Sequence, residues 1–361
     1  MYNRCIKIHL TVYKNLGGIM KKVLIAVLLT AMIVGNVAAI DVTFDDGGAL
    51  TDDIKARIKE EIDNKYGKYE HAKDVGRAMS NANSMAATAG YMHSANGYDL
   101  FSVAVSGTVA GAVESISEAK DFIDNYKDEG DVYFGLGGQI INAAVGFNVG
   151  RFFKMDHGLY LTLKGGVTKL KVDKLDLNAY NLGFMVNYQL LNAKSLGNGH
   201  LLKWRGLNVG AGYSYYSSKA SWTIDKLDTI DVNIDGAGEF KYDADLDVES
   251  ENTRHVIPVE ITTGVKLTVV ELFGGLGADF MFGGKNDITA DSNAKVTKVD
   301  DGSKSNSKMH FSAEGDDDNF KMKFMVGLGF SLGPVHIEIP YTQYFDEKIN
   351  ASLGVIGGLA F

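Results

Sequence analysis

From about residue 98 onward the sequence alternates apolar and polar residues with a period of two, in stretches too long for ordinary hairpins. Tyr180, Leu182, Phe184, Val186, Tyr188 and Leu190 alternate with Asn181, Gly183, Met185, Asn187 and Gln189. Phe320, Met322, Phe324, Val326, Leu328, Phe330 and Leu332 alternate with Lys321, Lys323, Met325, Gly327, Gly329 and Ser331. The same pattern runs through 207–216 and closes the chain at Leu353, Val355, Gly357, Leu359 and Phe361. Neighbouring side chains of a strand point to opposite faces, so each run predicts a strand with one apolar side.

A soluble sandwich would also alternate, but three features favour a barrel in a membrane. The runs reach or exceed the ~9–11 residues that cross a bilayer as a tilted strand. Their second face is Gly, Asn, Ser and Lys, suited to a wet or tightly filled lumen. Tyr and Phe gather toward run ends, where an aromatic girdle belongs. Backbone in hydrocarbon must pair every amide, so such a sheet has to close.

Pairing the runs gives strands over 99–113, 131–153, 157–172, 176–191, 203–234, 239–268, 270–299, 306–332, 334–344 and 349–361. The expected fold is therefore all-β: a transmembrane antiparallel up-and-down β-barrel of ten strands, or up to fourteen if the long hairpins split, behind a short N-terminal helical segment. Its lipid-facing set is Tyr180, Leu182, Phe184, Val186, Tyr188, Leu190, Phe320, Phe324, Val326, Leu328, Phe330 and Phe361. A charge at Phe324 or Val326 should cost a few kcal/mol near the midplane.

Composition agrees with this architecture. The chain carries 42 Gly but only 3 Pro, which suits extended segments where neighbours crowd and excludes a proline-rich linker. A formal charge of −9 argues against a general nucleic-acid binder. Residues 1–39 hold five bases (Arg4, Lys7, Lys14, Lys21 and Lys22), no acid, and an apolar run over 23–34 that is too short to span a bilayer. This is the pattern of a secretory signal peptide with cleavage between Ala39 and Ile40. Leu16-Gly17-Gly18 lies just before Met20. Gly-Gly codons can spell a ribosome-binding sequence, so Met20 is the expected start of translation. Cys5, the only cysteine, lies in the leader, and loss of the five leader bases takes the mature chain from −9 to −14, without thiols. The expected destination is the bacterial outer membrane, reached through the barrel-assembly machinery.

Between leader and barrel, 40–98 reads as helical. Leu50, Ile54, Ile58 and Ile62 recur every four residues behind a Thr51 cap with Asp52 and Asp53 in the first turn. A second helix, rich in Ala, Ser and Asn, covers about 72–87. The pair is either a plug or cap for the barrel or an ordinary surface-packed hairpin.

Two of the middle hairpins outrun the bilayer, and their far parts, 225–247 and 287–318, turn acidic. Function concentrates on such loops. The candidate surface contacts are Asp225, Asp228, Asp231, Asp235, Asp243, Asp245, Asp247, Asp300, Asp301, Asp316, Asp317 and Asp318. No phosphate-binding glycine loop, nucleophile elbow or His/Cys metal spacing occurs, and the acidic tracts lack the ligand spacing of a calcium loop. The expectation is no enzyme, no metal and no cofactor. Glu260 and Lys266 fall on a lumenal face and would make an interior ion pair.

Five stretches taken in order resemble one family: 95–101 (ANGYDLF), 131–137 (DVYFGLG), 201–210 (LLKWRGLNVG), 257–264 (IPVEITTG) and 275–280 (GLGADF). Together they resemble the leptospiral surface adhesin family of spirochaete outer-membrane proteins. That resemblance implies a surface-exposed barrel that binds host extracellular-matrix components or plasminogen. Transport, as a porin or hydrophobic-solute transporter, is the alternative reading; a soluble secreted sandwich is a third.

Overall fold

A computed structural model describes residues 39–44, 50–66, 72–93, 98, 100–113, 134–172, 174–196, 201–224, 230–234, 238–300, 302–314, 319–345 and 349–361. The elements are β1 (Ala39–Phe44), α1 (Asp52–Tyr66), α2 (Ala72–Thr88), β2 (Phe101–Val113), β3 (Phe134–Asn148), α3 (Val149–Phe152), β4 (Leu159–Val172) and β5 (Leu175–Leu191). They continue with β6 (Lys194–Leu196), β7 (Leu202–Ile224), β8 (Ile230–Ile234), β9 (Gly238–Leu267) and β10 (Val270–Lys298). The last four are β11 (Lys304–Glu314), β12 (Phe320–Leu332), β13 (Val335–Tyr344) and β14 (Ile349–Ala360).

Antiparallel pairing runs β10-β12-β13-β14-β2-β3-β4-β5-β7-β9, and β9 pairs back onto β10 to close a ring of ten strands. β1, β6, β8 and β11 attach outside that ring. Closure leaves no open edge in the ring, which is what hydrocarbon demands of a sheet. No helix among the described residues is long and apolar enough to cross a membrane.

Burial shows which way each face points. Along β12 exposure alternates at nearly every residue, with Lys321, Lys323, Met325, Gly327, Gly329 and Ser331 buried inside and Phe320, Met322, Val326, Leu328, Phe330 and Leu332 exposed outside. The outward residues of β9 are Ile257, Val259, Ile261, Thr263, Val265 and Leu267, and they turn polar from Thr253 outward. An apolar outer face thus wraps the ring, and the barrel is a transmembrane one. Aromatic rings mark its upper margin, with Tyr180 by Tyr215 (5.8 Å between ring centroids), His255 by Phe282 (5.6 Å) and Phe280 by Phe320 (5.1 Å). Phe101 and Phe361 stack at 5.0 Å at the lower margin.

Three strands continue well beyond this band. β7, β9 and β10 have 23, 30 and 29 residues, against roughly 9–11 needed for a crossing. Above the aromatic margin they continue as a sheet, joined by β8, β11 and β1. Two expected strands divide here. The run 306–332 is two strands, β11 on the outer half of β10 and β12 on its inner half, and 203–234 is β7 plus β8. Alternation alone does not record a change of partner.

At the opposite end the joints are short. β12 turns into β13 through Gly333, whose φ of +59° suits glycine. β3 turns into β4 through α3, capped by Asn148, whose Oδ1 accepts from the Arg151 N–H at 3.2 Å. The 192–202 joint contains β6, paired back on β7.

Candidate functional site

Two regions concentrate polar and charged side chains in defined arrangements: the bore and the outer sheet. The bore is filled by α2. Ala78, Ser80, Asn81, Ala82, Asn83, Ser84, Ala86 and Ala87 are all essentially inaccessible, on every side of the helix. A helix buried all round must be thin, which explains its Ala, Ser and Asn content. Gly137 of β3 allows the closest approach: a Cβ there would lie 2.5 Å from the Ala82 carbonyl oxygen.

The end of α2 is tied to the wall. The last carbonyls of a helix lack partners within it. Gln139 Nε2 donates to the Ala86 carbonyl at 2.7 Å, and the Lys164 ammonium donates to the carbonyls of Ala87 and Ala89. A cation at this position also complements the negative end of the helix dipole. Lys164 Nζ stands 4.3 Å from the centre of the Tyr91 ring.

Below α2 sits a buried charge cluster. Lys323 Nζ is 2.7 Å from Glu260 Oε1 and 2.8 Å from Asp279 Oδ1. Asp279 Oδ2 accepts from the Tyr344 hydroxyl at 2.7 Å and the Thr88 hydroxyl at 3.4 Å. His93 Nε2 lies 3.5 Å from Glu260, and its backbone N–H donates to Glu338 Oε2 at 3.0 Å. Charges this deep persist only when paired and hydrogen-bonded. Glu260 is thus lumenal, but its ion-pair partner is Lys323, not the expected Lys266. The cluster, with Thr88 and His93, fastens the plug segment to four strands.

Lys164, Asp279 and Lys323 are the residues sequence reasoning passed over. Their signal was visible, since each stands at an inward position of an alternating run. The missing information was which strands they face across the bore.

The second region is the outward face of the sheet above the band. Asp243, Asp245 and Asp247 of β9 are exposed there. Asp247 lies directly opposite Asp291 of β10, and Asp291 opposite His310 of β11. The Thr223 hydroxyl donates to Asp247 at 2.6 Å, and His310 Nδ1 lies 2.7 Å from Asp291. Lys219 bonds Glu249 and, at 2.9 Å, Glu251; these bonds hold its ammonium above the ordinary lysine value. Asp300 is exposed in the turn after β10. Asp231 lies on β8, in register with Lys241. Asp225, Asp228, Asp235, Asp301, Asp316, Asp317 and Asp318 lie outside the described residues, as does the leader through residue 38. Ala39 and Ile40 are the first residues of β1. Among the described residues no three His, Cys, Asp or Glu are grouped to hold a metal.

The residues expected to face lipid stand on the outside of the ring: Tyr180, Leu182, Phe184, Val186, Leu190, Phe320, Val326, Leu328, Phe330 and Phe361 are exposed, and Tyr188 and Phe324 half-buried. Phe324 is shielded by the rings of Phe345 (5.3 Å) and Tyr341 (6.1 Å).

Comparison with known proteins adds the family. No curated protein matches the chain in sequence. Among solved structures, the translocator domain of the autotransporter NalP from Neisseria meningitidis is 11% identical at a TM-score of 0.30, covering 86% of this chain and 98% of that one. Ail, the attachment invasion locus protein of Yersinia pestis, is 12% identical at a TM-score of 0.21, covering 73% and 99%. The outer membrane protein Omp33 of Acinetobacter baumannii is 8% identical at a TM-score of 0.22, covering 73% and 98%. TM-scores this low say nothing further about this chain. A family model described as Lsa36-like matches residues 31–358, nearly the whole length. The chain therefore belongs to the Lsa36-like family, the leptospiral surface adhesin family that its ordered motifs resemble, and is a surface β-barrel protein of the bacterial outer membrane.

Proposed function

We propose that this protein is an adhesin that binds host extracellular-matrix components or plasminogen through the acidic outer sheet and its loops, without catalytic activity. The observation that carries the reading is the extension of β7, β9 and β10 beyond the apolar band, with Asp243, Asp245, Asp247 and Asp291 on its exposed face. Like charges directly opposite in a sheet repel. A basic partner would relieve the Asp247–Asp291 repulsion, which gives the surface a reason to be acidic. Transport fits less well, because α2 and the Lys323 cluster occupy the bore. Export through a signal peptide cleaved after Ala39, assembly by the barrel machinery and contact of the outward apolar residues with lipid complete the proposal.

The full barrel in detergent is assayed on immobilised plasminogen and basement-membrane extract. Replacing Asp243, Asp245 and Asp247 by Asn should weaken binding about tenfold, or ~1.4 kcal/mol, and flatten its salt dependence. Heat-modifiable mobility should remain that of the wild type. Unchanged binding by the triple variant would overturn the assignment to this face. Amino-terminal sequencing of the exported protein should begin at Ile40.

A further inference from the structure

The short-turn end of the barrel, which faces the periplasm in proteins of this architecture, contains a cavity of about 330 Å³. Arg151 from α3, His157 from the following turn, and Lys203 and Arg205 from β7 line it, together with the amides of Asn148 and Gln189. These residues converge because α3 is a single turn held by its Asn148 cap and because β6 folds back on β7, placing Ser195 opposite Lys203.

The charge balance of this mouth is opposite to that of the chain. Nearby along the backbone, Lys154 donates its amide to the Arg151 carbonyl, Lys194 pairs with Trp204 beside Lys203, and Lys266 pairs with Lys203. Of the acids nearby, Glu271 is turned to Arg205 Nε at 3.3 Å, and Glu338 accepts from the His93 amide. Among the described residues, Asp156 is the one acid that lines the cavity. Lys203 and Lys266 stand directly opposite each other across β7 and β9, and Glu271 stands opposite Lys266 on β10, one carboxylate shared among Lys203, Lys266 and Arg205. A further observation points to an unfilled polar position. His157 Nδ1 is buried without a hydrogen-bond partner.

We propose that this cavity is a binding site for a small multivalent oxyanion, phosphate- or carboxylate-bearing, that enters from the periplasm. Its volume lies at the lower end of ordinary small-molecule sites. Arg151 and Lys203 supply the charge, a guanidinium fork matches an oxyanion in two parallel hydrogen bonds, and the amides orient whatever polar groups the anion carries. The site is independent of the outer sheet and of adhesion.

Isothermal titration of the full barrel in detergent micelles at low ionic strength tests it, with citrate and inorganic phosphate as probes. At least one probe should bind saturably, one per barrel, and weaken as salt is added. Lys203→Gln and Arg151→Gln should each weaken that binding at least tenfold. Lys219→Gln, at the opposite end, should leave it unchanged. Circular dichroism and heat-modifiable mobility establish that each variant is folded. Should a variant not fold, the wild-type titration and its salt dependence still decide. Absence of saturable binding by either probe would overturn the proposal, as would a Lys219→Gln loss equal to that of Lys203→Gln.

Discussion

At the scale of single residues, the most consequential side chain is Lys323. It bridges Glu260 and Asp279 in a space closed to water. Lys323→Met would leave two buried carboxylates facing each other without the ammonium that joins them, at a cost of about 3–5 kcal/mol. Urea unfolding of the barrel in detergent should show that loss, and an unchanged midpoint would refute the bridging role. That Lys323 points inward was legible, since it alternates with Phe320, Met322 and Phe324. Its partners were not, because Glu260 and Asp279 come from β9 and β10, and only the pairing of β12 beside β10 brings the three stretches to one point.

At the scale of elements, the alternation located the ring strands, because its period is a property of the strand itself. α1 and α2 were equally legible: the Ile54, Ile58 and Ile62 spacing reads as a helix, and the Thr51 carbonyl accepts the first helical bond from Lys55 at 3.0 Å. The division of 306–332 into β11 and β12 was not, because both halves alternate and only the pairing along β10 separates them. Val326 lies midway along β12 and is exposed on the outside. Val326→Arg should destabilise the barrel by ~2–4 kcal/mol, the cost of a cation near the bilayer midplane. Reduced heat-modifiable barrel in lipid vesicles would register this, with Lys219→Ala on the outer sheet as the neutral control.

For the molecule as a whole, a transmembrane ring stoppered by α2 carries an acidic sheet above and a basic cavity beneath. The stopper depends on contact at backbone distance. Gly137→Val places side-chain atoms where the Ala82 carbonyl and Asn83 amide now lie, at 2.5 and 2.7 Å from the added Cβ. The helix must then move. Single-channel recording in planar bilayers should find the wild type closed and Gly137→Val conducting; equal silence from both, with the variant folded, would mean that the bore stays filled without this contact.

The linear order of residues was enough to specify a closed, membrane-crossing sheet, since strand periodicity, run length and the need to pair every amide in hydrocarbon are local or solvent-imposed conditions. It also specified that the far hairpins are acidic. What the three-dimensional arrangement decided was the fate of the small-residue helix, which seats inside the ring, and the partners of the inward charges. Neither could be read in advance, because the choice between a surface and an interior, and between Lys266 and Lys323 for Glu260, rests on distances between strands far apart in the chain.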